Sequence, residues 1–252
     1  MLELIKKNNP TCADCRAPNP EWCCINLGIL ICIDCSGIHR SLGVENSIVR
    51  SVKLDFWDND LLKVLDQLGN DRSRSIFEEE CKKLPNLDSQ SFRQTWIEEK
   101  YIKKQYLRRT AKNDIDVDFW GSIERGNIST ALECLILGAD INFKNPKSNG
   151  RTALMQSIIN NDYTAFEFLL LRSCDVNIVD SDGSSALHYA TERDQVKAVV
   201  SLLRKNADSS LRDGQNQQPL DIALENAYVH IVTLLRLFKF EEEQESSPST
   251  SF

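Results

Sequence analysis

No apolar run in the 252-residue chain approaches the length of a membrane span, so none is expected to cross a bilayer. No signal peptide opens the sequence. Histidine is scarce, with three in all. No Ser/His/Asp set, P-loop or paired acidic site is apparent, so intrinsic hydrolase chemistry is not expected. Nor is there a basic excess. Residues 1–117 carry 18 basic and 18 acidic side chains, and residues 118–252 carry 12 and 19, which supplies the whole formal charge of −7. That balance argues against nucleic acid as a partner. What is present is 41% apolar residues, enough to bury real cores in one large or two medium domains.

The nine cysteines are an odd number. Four fall in two pairs, Cys12-Ala13-Asp14-Cys15 and Cys32-Ile33-Asp34-Cys35, sixteen residues apart. Two Cys-x-x-Cys turns at that separation each aim two thiolates at one point, a strong zinc pattern. Four thiolates close a tetrahedral ion with no open position, so one structural Zn2+ per chain is expected. Two disulfides, or four core cysteines, are the alternative. The other five, Cys23, Cys24, Cys81, Cys134 and Cys174, are scattered, which fits a reducing cytosol. Cys23 and Cys24 lie in an apolar run and read as small hydrophobes.

The stretch 2–9 reads as a short helix before Pro10, and the apolar segment from Trp22 to Ile31, broken by Asn26 and Gly28, as a hairpin. A helix from Cys35 should end at Gly43, holding Arg40 one turn beyond a ligand cysteine. Residues 48–55 alternate like a strand. Helices are expected over 58–68, 70–84 and 89–109. Lys103, Lys104, Arg108 and Arg109 on the last read as a solvated face, with a membrane-facing role as the alternative.

These residues together carry a family likeness. The Cys12, Cys15, Cys32, Cys35 and Arg40 spacing, Trp22 between the pairs, Gly37-Ile38-His39-Arg40-Ser41-Leu42-Gly43, then Arg50-Ser51 and Asp55, resemble the catalytic domain of the Arf GTPase-activating proteins over about residues 1–110. The resemblance implies that the zinc module supports an arginine, at the position of Arg40, that completes a GTPase active site. Trp22 is then core or partly at the GTPase contact. Arg50 and Asp55 match family positions with structural or GTPase contacts, and Arg50 is the first substitute should Arg40 not be the finger. The chain departs from the family pattern at Cys23-Cys24, Glu45-Asn46 and Ile48, which bears on partner choice and rate more than on fold.

A repeat begins near 118. Thr152-Ala153-Leu154, Ser185-Ala186-Leu187-His188 and Gln218-Pro219-Leu220 recur every 33 residues, the ankyrin period of a turn, two antiparallel helices and a loop. About four units are expected, opening at Phe119-Trp120, which should seal the stack to the preceding domain. His188 sits at the helix start, where it serves turn hydrogen bonds. After Phe240 the acidic and Ser-rich stretch has no apolar period and reads as a disordered tail.

The expected architecture is therefore mostly α: a small α+β four-cysteine zinc-finger domain with a linking helix over 1–117, an ankyrin α-solenoid over 118–240, and a tail over 241–252. The combination resembles ACAP-type Arf activators. It implies a GTPase activator rather than a conventional enzyme, acting on a GTP-bound Arf-family GTPase in membrane traffic. It further implies a protein ligand on the ankyrin surface. Placement is expected to be cytoplasmic, peripherally at endosomal or plasma membranes, with recruitment through domains absent from this chain. The competing reading is a non-catalytic zinc-finger and ankyrin scaffold.

Overall fold

The structure, a computed structural model, describes residues 1–107 and 114–245. A short helix α1 (Leu2–Asn8) leads into the first cysteine turn. Strands β1 (Trp22–Cys24) and β2 (Ile29–Ile31) form the expected hairpin, turning at Gly28, whose φ of 69° suits glycine and where a Cβ would strike Leu68. Strand β3 (Val49–Ser51) joins the far side of β1, giving the order β2-β1-β3, all antiparallel. Helix α2 (Ile33–Ser41) lies between β2 and β3 and starts two residues earlier than expected, inside the second cysteine turn.

Two expected elements are shorter than the sequence suggests. The strand expected over 48–55 stops at Ser51, because side chains lock a turn there. Asp55 Oδ2 accepts from Ser51 N at 2.6 Å, and Ser51 Oγ accepts from the amides of Lys53 and Leu54 at 3.3 and 3.2 Å. Helix α3 (Asn59–Gln67) follows, capped by Asp58. Helix α4 (Asn70–Phe77) then ends well before Leu84, because Glu78 turns inward to an ion pair with Lys100 Nζ at 2.7 Å and a second with Arg16. Helix α5 (Gln90–Ile97) runs into a π turn, Glu98–Ile102. The end of the helix expected to 109, with Arg108 and Arg109, lies outside the described residues.

Four helix pairs follow: α6 (Ile115–Glu124) with α7 (Ile128–Ile136), α8 (Ala153–Ile159) with α9 (Tyr163–Leu170), α10 (Ala186–Glu192) with α11 (Val196–Leu203), and α12 (Pro219–Glu225) with α13 (Val229–Glu245). Each pair buries its apolar face against the next. Asparagines stitch the units: Asn142 Oδ1 accepts from Asp175 N at 2.9 Å, and Asn177 Oδ1 from Asp208 N at 2.7 Å. His188 is 0% exposed. Its Nδ1 accepts from Ser185 N at 3.1 Å, and its Nε2 faces Gln217 O at 3.1 Å, so it serves the turns as expected. Helix α13 continues to Glu245, past the boundary expected at 240, since glutamate sustains a helix. Residues 246–252 lie outside the described residues. No helix among the described residues is long and apolar enough to cross a membrane.

The join between the two parts extends well beyond Phe119 and Trp120, which share one buried cluster with Trp96, Ile97 and Tyr101. Phe119 is buried, but Trp120 Nε1 donates forward, to Arg151 O at 3.0 Å, within the repeats. The broadest contact between helices of the two parts is α3 packing on α9. Leu171, just beyond α9, packs against the N-terminal cluster of Ile5, Cys23, Ile25 and Leu30. Arg72 meets Glu133 at 2.7 Å, Lys104 Nζ donates to Ile136 O at 2.9 Å, and Lys197 pairs with Asp60.

Candidate metal centre and the arginine beside it

The sulfurs of Cys12, Cys15, Cys32 and Cys35 all lie within 4.8 Å of one another. A tetrahedral ion with sulfur ligands at about 2.3 Å sets its sulfurs about 3.8 Å apart, so the cluster is near the right size. Backbone bonds shape the first turn: Cys12 N donates to Ala17 O at 2.8 Å and Ala13 N to Leu30 O at 2.9 Å. Cys12 and Cys35 are buried, Cys15 and Cys32 half-buried. Four soft donors at one point, none bridged as a disulfide, fit a metal ion and leave no protein-side gap for a substrate. Cys23 and Cys24 are buried as expected, Cys134 and Cys174 are buried too, and Cys81 is half-buried.

Between the ligands sits a buried polar network. Asp14 Oδ2 meets His39 Nε2 at 3.0 Å, and His39 Nδ1 meets Ser47 Oγ at 2.9 Å. Asp14 Oδ1 accepts from Lys100 Nζ at 3.1 Å and from Tyr101 OH at 2.8 Å, both on the π turn. Cys24 Sγ lies 2.9 Å from Ser47 Oγ, so it is a polar neighbour as well as a small hydrophobe. Burial pushes the Asp14 carboxyl up, but the Lys100 ammonium and the His39 and Tyr101 bonds outweigh it and hold it below the usual carboxylate range. Burial alone would lower His39. The Asp14 bond and charge, with Cys24, raise it to about 10 instead.

Asp14, His39 and Ser47 thus stand in the order of a carboxylate, an imidazole and a hydroxyl, a set that sequence reading missed. They are separated by 25 and 8 residues, which fits no motif. The available signal was His39, on the inner face of α2 beside Arg40. The arrangement does no hydrolysis. Ser47 is 3% exposed and His39 0%, so no substrate reaches the hydroxyl, and the Asp14 bond favours the charged form of His39. Its effect is to tie the first cysteine turn, α2 and the loop before β3 together.

Locking His39 inward turns its neighbour outward, since consecutive helical residues diverge by about 100°. Arg40 is exposed, and its guanidinium carbon sits 4.4 Å from the centre of the Trp22 ring. Among the described residues it has no carboxylate partner. Trp22 is half-buried, packed on the core beneath, so it is both core and surface. The outer stripe of α2 reads Ile33, Gly37, Arg40, all exposed.

Arg50 is not brought to this place. It pairs across the sheet with Cys23, whereas Trp22 pairs with Ser51. Cross-strand partners share a face, so Arg50 lies on the face of Cys23, opposite Trp22 and Arg40. There it comes within electrostatic reach of Glu167 on α9. Arg50 and Arg40 therefore lie on opposite faces of β1. Asp55 is exposed, but one of its carboxylate oxygens closes the turn after β3. That turn displays Leu54 and Phe56, each 84% exposed. Of the departures from the family pattern, Asn46 has a local role: its side chain caps α2, donating to Leu42 O at 2.8 Å.

Comparison with known proteins agrees with the geometry. Residues 1–110 match the family model described as putative GTPase activating protein for Arf, and residues 120–213 and 159–243 match ankyrin repeats. The chain is 29% identical to the Arf-GAP with coiled-coil, ANK repeat and PH domain-containing protein 2 of Gallus gallus, over 95% of this chain and 42% of that protein. It is 46% identical to the corresponding protein 3 of Homo sapiens, over 40% of this chain and 13% of that one. It is 32% identical to protein csx2 of Schizosaccharomyces pombe, over 70% and 20%. The chain spans less than half the length of these relatives. Four cysteines gathered at one point, an exposed arginine on the helix that carries the last of them and a stack of paired helices, with these matches, make this chain an Arf-GAP-domain and ankyrin-repeat protein, homologous to the ACAP-type Arf-GAP, ANK-repeat and PH-domain proteins.

Proposed function

We propose that the chain accelerates GTP hydrolysis by an Arf-family GTPase, supplying Arg40 in trans to a nucleotide site that the partner owns. The observation that carries this reading is the state of Arg40: exposed, without a carboxylate partner among the described residues, and held over Trp22 one turn beyond Cys35. Phosphoryl transfer needs little covalent help from protein. It needs positive charge where charge gathers on the transferred group and the leaving oxygen, and an arginine delivered by a partner typically gives ~10³–10⁵ in rate. Guanidinium suits this because it is planar, permanently charged and multidentate. Trp22 gives it a flat rest that leaves its edge free to donate.

The same reading assigns Cys12, Cys15, Cys32 and Cys35 to one structural zinc ion, which when bound supplies a cross-link and no reactivity. His39, Asp14 and Ser47 hold the helix that carries Arg40. Leu54 and Phe56, on their locked turn, offer apolar surface to the arriving GTPase. The ankyrin stack takes a protein ligand. Recruitment to endosomal or plasma membranes falls to regions of the kind named in the relatives, their PH and coiled-coil domains.

The test is single-turnover hydrolysis by a GTP-loaded Arf-family GTPase with and without this chain. Acceleration that saturates with chain concentration is expected. Equal rates with and without the chain, across Arf-family GTPases, would refute the reading and leave the scaffold.

A further inference from the structure

The middle of α2 holds a residue that its own fold does not require. Gly37 is the fifth of nine residues in that helix. Glycine inside a helix destabilises it relative to alanine, because it loses more backbone freedom on folding. Such a residue persists for one of three local reasons: a left-handed backbone, a close neighbour, or the end of the helix. None applies here. Gly37 is absent from the positive-φ residues. A Cβ built on it meets nothing within 4 Å. The helix continues for another turn, to Ser41. By contrast, the glycines at 28, 43 and 69 all have positive φ.

The position of this bare spot is informative. Gly37 is exposed and lies one turn before Arg40, on the same face, with Ile33 one turn earlier at 59% exposed. Among the described residues Arg40 has no carboxylate partner. The face therefore presents an apolar contact, a gap and a charge in line, and of the three the gap costs the isolated helix most stability.

We propose that the missing side chain at Gly37 is a clearance for the nucleotide-bearing face of the GTPase, whose backbone lies against α2 there so that Arg40 can reach the phosphates. The partner's chemistry follows from Arg40: a surface that carries a phosphate at its rim and comes flat against a helix. This rests on the proposed function and adds the face by which the partner approaches.

The experiment compares the full chain with Gly37→Ala and Gly37→Leu, using one GTP-loaded Arf-family GTPase, a melting curve and metal content for each. Gly37→Ala should melt about 1–3 °C higher, since the helix gains and nothing clashes. Yet the chain concentration giving half-maximal acceleration should rise about 10-fold for alanine and about 100-fold for leucine, as lost contact scales with the bulk that intrudes. The rate at saturation should change far less for alanine. Two results would overturn the clearance while leaving the function intact: full activity in both variants, or lower melting and metal loss in Gly37→Ala, which would make the glycine a folding requirement. Failure of the unmodified chain to accelerate hydrolysis would remove the function and the clearance together, and is told apart by that arm alone.

Discussion

Arg40 and Trp22 come from different elements, α2 and β1, and meet with the guanidinium carbon 4.4 Å from the ring centre. The stack orients the arginine without neutralising it, as an ion pair would. Arg40→Ala should therefore leave metal content and melting temperature nearly unchanged, because an exposed arginine whose one contact is a surface stack contributes little to the fold. Saturated hydrolysis should fall by about three orders of magnitude or more, about 4 kcal/mol at the transition state. Arg40→Lys should recover little. A folded Arg40→Ala chain that still activates would remove the mechanism, and Arg50, on the opposite face of the sheet, could not take it over without moving the sheet.

Metal removal gives the second prediction. Purified protein should contain one zinc per chain. Chelation should unfold the N-terminal part, since its sheet has strands of three residues and its knuckles rely on the ion. Circular dichroism and a thiol count before and after chelation check this. A metal-free chain with an unchanged spectrum and melting curve would contradict it.

The buried network predicts a graded loss. Ser47→Ala removes one of the two anchors of His39 and leaves a buried ring nitrogen unpaired, which should cost about 1–3 kcal/mol by denaturant unfolding. Ser47→Thr keeps the hydroxyl and should recover part of it. An unchanged unfolding midpoint in Ser47→Ala would show that the anchor is idle.

His188 predicts how the repeats respond to acid. Burial lowers its pKa in the folded chain, beneath an ordinary value of 6.5. The unfolded chain then takes up a proton before the folded one does. The stability this group contributes is complete above about pH 6.5 and is lost as pH falls below it. Melting temperatures of the full chain between pH 5 and 7.5 should drop on the acid side, and the drop should shrink in His188→Gln. An identical pH profile in that variant would place the titration elsewhere.

Much of this was legible in the sequence because local rules govern it. The Cys-x-x-Cys pairs and the 33-residue period each repeat a local geometry, so spacing alone places Cys12, Cys15, Cys32 and Cys35 together and sets the helix pairs in order. The face of a sheet and the partners of a buried charge are set by residues far apart. Arg50 lies ten residues from Arg40, yet the register Cys23↔Arg50 turns it away. Asp14 finds Lys100 across 86 residues, and no pattern in either segment announces it. The strand that ended at Ser51 and the helix that ended at Phe77 were cut short by side chains, Asp55 and Glu78, whose partners only the fold reveals.

The π turn at Glu98–Ile102 makes the spacing after α5 a matter of count rather than of composition. Lys100 and Tyr101 are adjacent in sequence, yet both end on Asp14 Oδ1. A π turn holds one residue more than the α turn it replaces. Deleting a single residue there would restore a regular helix and rotate all that follows by about 100°. Either the ammonium or the hydroxyl would then swing off the carboxylate. The π turn is thus a gauge: its residue count is what lets Lys100 and Tyr101 meet on one carboxylate oxygen.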